Sequence, residues 1–126
     1  MPIDYRIDQD QNRVYASAHG TMTTEQLFDY QKKVWSKKEV AGMDELVDLT
    51  NVEGMAVGAA GMQSFVDLAS SLALSIPPGR LAIVASGDFE YGLSRTYKEH
   101  REKRGAGARE VGVFQTLEDA EAFLKS

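Results

Sequence analysis

The sequence holds no cysteine, 3 prolines and 1 tryptophan among its 126 residues, and each scarcity narrows what the chain can be. Without cysteine there is no disulfide scaffold, no thiolate zinc site and no thiol nucleophile, a composition compatible with a reducing compartment. Positive charge is also short: 14 Lys and Arg stand against 19 Asp and Glu, a formal net charge of −5. Neutralising phosphates needs a clustered excess of cations, so no nucleic-acid partner is expected. No apolar run approaches the roughly 20 residues of a membrane-spanning helix. The opening Met1-Pro2-Ile3-Asp4-Tyr5-Arg6 lacks the basic and then apolar pattern of a signal peptide. The expectation is a cytoplasmic protein whose 43% hydrophobic content supports one core and one domain, 1–126.

What is present is an alternation of strand and helix patterns. Ile3, Tyr5 and Ile7, then Val14, Ala16 and Ala18, recur with a period of two on either side of the polar Gln9-Asp10-Gln11-Asn12, which predicts a β-hairpin with one buried face. Thr23 with Gln26 three residues on is a capping-box pattern, and Leu27, Tyr30, Gln31 and Val34 follow at helical spacing, predicting a helix from about Thr24 to Lys37. Glu45-Leu46-Val47-Asp48-Leu49 reads as a short buried strand, and the Gly/Ala-rich stretch from Gly54 to Gly61 as the connection to a helix over Met62 to Ser75. Pro77 and Pro78 stop that helix. Leu81 to Ala85 is apolar at every position, as in a strand covered on both faces. A helix from Asp88 or Glu90 to about Arg104, a Gly105 to Gly107 link, a strand Val111 to Phe114 and a last helix capped by Thr116 and Asp119 complete the order β-β-α-β-α-β-α-β-α. The predicted fold is α/β: a single mixed sheet, mostly parallel, with an N-terminal antiparallel hairpin.

This order, with Glu45 to Thr50, Arg80 to Ala85 followed by Tyr91-Gly92-Leu93, and Val113-Phe114 through Glu118-Asp119-Ala120 to Phe123-Leu124, resembles the SpoIIAA-like family of STAS/SEC14-type domains. Those domains share the fold of anti-sigma-factor antagonists. Phospho-regulated antagonists carry an acidic residue, paired serines and a glycine just after the third strand, and one serine accepts phosphate. Here Met55-Ala56-Val57-Gly58 occupies that place and has no hydroxyl, the nearest being Thr50 and Ser64. The resemblance therefore implies a regulatory or binding domain that works without phosphorylation, with apolar small molecules or peripheral membrane contact as the remaining behaviours of its class.

Other residues suggest chemistry but lack the partners it needs. Asp48 ends a strand where α/β sheets place reactive carboxylates. A receiver-type acceptor also needs an acidic cluster after the first strand and a lysine after the last, where Gln115 stands, so Asp48 is expected to cap the following loop. His19 and His100 fall in different elements with no ligand spacing between them, and no metal or cofactor is expected. Ser86-Gly87-Asp88 lacks the glycine-flanked nucleophile elbow, and the glycines from 54 to 61 lack the Gly-Lys-Ser/Thr ending of a phosphate loop. The basic run Lys98 to Arg104 with Arg109 is interleaved by Glu99 and Glu102 and reads as a solvated face with local ion pairs.

The helix over Met62 to Ser75 is the most informative segment. Its apolar arc of roughly 160° exceeds the ~100° stripe that faces a core, while Gln63, Ser64, Asp67, Ser70, Ser71 and Ser75 make an outer face with a single charge that is cheap to desolvate. The reading is a non-enzymatic binding module that captures an apolar small molecule or lipid where this helix meets the Gly/Ala-rich loop, lined by Met55, Phe65, Leu68, Leu72 and Tyr91. The alternative is a protein–protein regulatory domain of the antagonist class. A regulatory protein or a second copy of the chain are the other partners compatible with that face.

Overall fold

The computed structural model describes residues 3–35, 37–40, 42–56, 61, 64, 67, 79–103 and 110–125. Strands β1 (Ile3–Asp8) and β2 (Arg13–Thr23) pair antiparallel, with Tyr5 opposite Ala16 and Ile7 opposite Val14, so the two alternating sets share one face as their period requires. The turn between them closes with the Asn12 amide donating to the Gln9 carbonyl at 3.3 Å, and Asn12 takes a φ of 55°, a left-handed conformation that asparagine tolerates better than most residues. Helix α1 (Thr24–Trp35) starts at the capping box: the Gln26 amide donates to Thr23 Oγ1 at 3.3 Å and Gln26 Oε1 accepts from the Thr23 amide at 2.9 Å. Two of the four amides that a helix start leaves without partners are satisfied reciprocally.

Strand β3 (Asp44–Ala56) is much longer than the expected Glu45 to Leu49. It runs parallel to β2 from Arg13↔Asp44 to Thr23↔Ala56, with register shifts after Ser17 and after Gly20. At each shift β3 gains one residue on its neighbour, as in a β-bulge, so backbone pairing continues into Gly54, Met55 and Ala56, which the composition had marked as loop. Strand β4 (Leu81–Val84) pairs only with Glu45–Asp48, and β5 (Val111–Phe114) with β4, both parallel. Helix α2 (Asp88–Lys103) and helix α3 (Leu117–Lys125) match the expected spans closely, and Thr116 Oγ1 accepts from the Asp119 amide at 3.3 Å as an N-cap. The expected helix over Met62 to Ser75 and the Gly105 to Gly107 link lie outside the described residues, apart from Ser64 and Asp67, both helical and exposed.

The sheet order is β1-β2-β3-β4-β5, the order of the chain itself. Successive parallel crossovers of one hand place their helices on one face. Accordingly α1 (Tyr30, Val34) and α2 (Tyr97) join Val14, Ala16, Ala18, Leu49, Leu81 and Ile83 in one core. Helix α3 follows the last strand and covers the other face, where Ala120 and Leu124 meet Leu46, Ala82 and Val84. All of β4 is buried, as its unbroken apolar sequence requires of a strand covered on both sides. Complete burial of Val14, Val34 and Val84 is worth about 1.5–3 kcal/mol for each side chain.

Candidate functional site

On the α1 and α2 side of the sheet the packing leaves a cavity of about 80 Å³. Its floor is built by the alternation of the strands: Ala16, Ala18 and Met22 from β2, Glu45, Val47 and Leu49 from β3, Leu81 and Ile83 from β4, with Ile3 of β1 at its edge. The two alanines explain the space, since β-branched residues at 16 and 18 would reach into it. Leu27, Tyr30 and Gln31 come from α1 and Ser94 and Tyr97 from α2.

Four of these side chains are polar or charged and buried. Glu45 is 4% exposed, Ser94 5% and Gln31 8%, and the Tyr30 hydroxyl donates to Glu45 Oε2 at 2.5 Å. Period-two alternation puts Glu45 on the inward face with Val47 and Leu49, which is why a carboxylate enters an otherwise apolar wall. Burying such a group is costly unless it is hydrogen-bonded, so the Tyr30 contact is a requirement of the fold as well as a feature of the site.

A second polar cluster lies on the opposite face. Arg13, with a side chain 5% exposed, donates through Nη1 to Glu121 Oε2 at 2.7 Å and to the Tyr15 hydroxyl at 2.8 Å, and Tyr15 donates to Gln11 Oε1 at 2.8 Å. Arg6 stacks over the Tyr15 ring at 4.1 Å. Burial pushes the Arg13 guanidinium pKa down, but the hydrogen bonds to Tyr15 and Glu121 more than offset this and the net direction is up. This cluster ties α3 to β2 and is structural.

Asp48 lies on that same opposite face, next to Leu46 in the alternation, and its Oδ1 accepts from the Thr50 amide at 2.9 Å and the Thr50 hydroxyl at 2.7 Å. It caps a local turn, as expected, though the turn sits at a bulge inside β3 and not in a loop. His19 Nδ1 stands 3.8 Å from Asp4 on the exposed surface. Among the described residues no group of three His, Cys, Asp or Glu could hold a metal ion, and no helix is long and apolar enough to cross a membrane.

Of the residues expected to line a site, Phe65, Leu68 and Leu72 lie outside the described residues. Met55 stands beside Met22 in the β2–β3 register, and Met22 lines the cavity. Tyr91 packs half-buried against the core that contains the cavity but is not among its lining residues. Sequence reading missed Glu45, Ser94 and Tyr97, and took Tyr30 and Gln31 as helix packing. Two signals point to them: glutamine at a core position of α1, and a glutamate in phase with Val47 and Leu49.

The chain matches no family model, and no curated protein is significantly similar to it in sequence. Solved structures do match. A protein of the DUF3478 family with a SpoIIAA-like fold from Shewanella loihica PV-4 superposes with a TM-score of 0.60 at 18% identity, covering 97% of this chain and 93% of that one. This chain has a SpoIIAA-like fold. The anti-sigma factor antagonist SpoIIAA in its unphosphorylated form also superposes, with a TM-score of 0.54 at 9% identity over 98% of both chains. The SpoIIAA-like likeness thus spans the five-stranded mixed sheet with its helices, in agreement with the resemblance carried by the sequence.

Proposed function

We propose that this SpoIIAA-like domain is a non-enzymatic binding module that holds a small apolar molecule in the cavity between α1, α2 and the sheet. The observation that carries this reading is a largely apolar-walled space of about 80 Å³ with the buried Glu45 carboxylate among its lining. An engineered apolar cavity of about 150 Å³ takes up benzene. By that scale this one suits a molecule of three or four heavy atoms, and a lipid acyl chain would require it to open.

Xenon binding followed by methyl NMR tests the proposal. Leu49, Leu81 and Ile83 methyl signals should shift with xenon pressure, and Ala18→Leu, which fills the space, should abolish the shifts while leaving the melting temperature unchanged or higher. Wild-type methyl signals that ignore xenon would refute it. The likeness to SpoIIAA favours a second reading, a protein–protein regulatory domain of the antagonist class that works without phosphorylation. Co-purification of a sigma-regulatory partner that the Ala18→Leu variant still binds would favour that one.

A further inference from the structure

We propose that β1 is the interface of a symmetric homodimer, in which a second copy of this chain extends the sheet antiparallel across a two-fold axis at Tyr5. β2 takes one edge of β1, and no described strand pairs with the other. Natural edge strands are guarded by proline, bulges, extreme shortness or charge. Within its six residues β1 has no proline, and its register with β2 runs unbroken from Ile3↔Ala18 to Asp8↔Arg13. The sheet's other end strand, β5, has only four residues. Charge is the one guard β1 carries, and its arrangement admits a single partner.

In an antiparallel ladder the outward-facing amides and carbonyls belong to alternate residues, so a strand pairs symmetrically with its own copy only in registers that set one residue opposite itself. Centring on Tyr5 engages residues 3–7 and centring on Arg6 engages residues 4–8, whereas any other centre engages at most three. The Arg6 register sets Arg6 against Arg6 and Asp4 against Asp8, and like charges directly opposite are destabilising. The Tyr5 register sets Asp4 opposite Arg6 of the second copy twice over on one face. On the other it sets Ile3 opposite Ile7 and Tyr5 opposite Tyr5, so that Tyr5 and Ile7, half-buried at the margin of the core, gain apolar cover. The Asp4 and Arg6 side chains are 73% and 67% exposed and open to a partner. Asp4 stands 3.8 Å from His19 and Arg6 3.7 Å from Asp8, exposed contacts that contribute little and exchange readily for cross-strand pairs.

Sedimentation equilibrium of the full chain from about 1 µM to about 1 mM tests the interface. The wild type should form a dimer that weakens as salt is raised. Arg6→Asp and Asp4→Arg each turn two attractive pairs into two repulsive ones, and each should weaken self-association at least about tenfold. Their equimolar mixture should form a dimer of one copy of each within about threefold of the wild-type affinity, because both facing pairs are then opposite in charge. Positions 4 and 6 are exposed, so both variants should keep the wild-type circular dichroism. A wild type that stays monomeric throughout overturns the proposal. So does a dimer that both charge variants retain, which places the interface elsewhere, or a mixture that fails to associate.

Discussion

Removing one oxygen from Tyr30 isolates the energetics of the buried carboxylate. In Tyr30→Phe the ring keeps its edge-on packing against Tyr5, 6.4 Å between centroids, while Glu45 Oε2 loses a donor that lies 2.5 Å away. Glu45 is 4% exposed, so water replaces that donor poorly. A hydrogen bond to a charged group contributes about 1.5–3 kcal/mol, and the loss of this one at a buried acceptor should fall in that range. For a chain of this length the unfolding entropy converts the cost to a melting temperature lower by about 6–11 °C. Differential scanning calorimetry measures it, together with a double-mutant cycle through Glu45→Leu. Because replacing a buried polar pair with apolar groups costs less than orphaning one member, the double variant should be at least about 1 kcal/mol more stable than the sum of the single effects implies. A Tyr30→Phe protein melting within about 1 °C of wild type, or strictly additive effects, would refute this account of Glu45.

Four further outcomes are expected. Gly112→Ala would set its Cβ 2.6 Å from the Phe114 ring and 3.1 Å from Phe123, so urea denaturation should show a loss of about 1–3 kcal/mol from overpacking beneath α3. Glu121→Ala leaves the Arg13 guanidinium buried without its anion and should cost about 2–3 kcal/mol in the same assay, less than a fully enclosed pair because Glu121 reaches solvent. Asp48→Asn or Thr50→Ala should cost at most about 1 kcal/mol by thermal melting and remove no activity; loss of a metal-dependent activity in Asp48→Asn would overturn the capping role. Incubation with an antagonist-specific kinase should leave the intact mass unchanged, and stoichiometric phosphate on Thr50 or Ser64 would contradict the reading of Met55 to Gly58.

Local chemistry made much of this fold legible. Residues with a strong period, such as Ile3, Tyr5 and Ile7 or the apolar run from Leu81, declare their element and their face without tertiary information, and the Thr23–Gln26 pair marks a helix start on its own. The length of β3 was not legible, because glycine and alanine weigh against a strand locally, whereas pairing with Thr21, Met22 and Thr23 of β2 decides the matter nonlocally. The cavity was hidden for a related reason. It is defined by what Ala16 and Ala18 leave empty once Tyr30, Gln31 and Tyr97 arrive from two separate helices, and no window of sequence contains all of them. Arg13 and Glu121 are equally remote, 108 residues apart, and nothing in either neighbourhood announces the other.

That separation bears on the sequence of events in folding. Each strand joins the edge left by the strand before it, so the layer containing α1 and α2 can assemble as the sheet grows. The other face has no such schedule. There Leu46, Ala82 and Val84 meet Ala120 and Leu124, and Arg13 meets Glu121, so this part of the core is completed by α3, the last element of the chain. Docking of this last helix covers Leu46, Ala82 and Val84 together, which makes α3 the latch whose opening would be the first sub-global unfolding event seen by amide exchange.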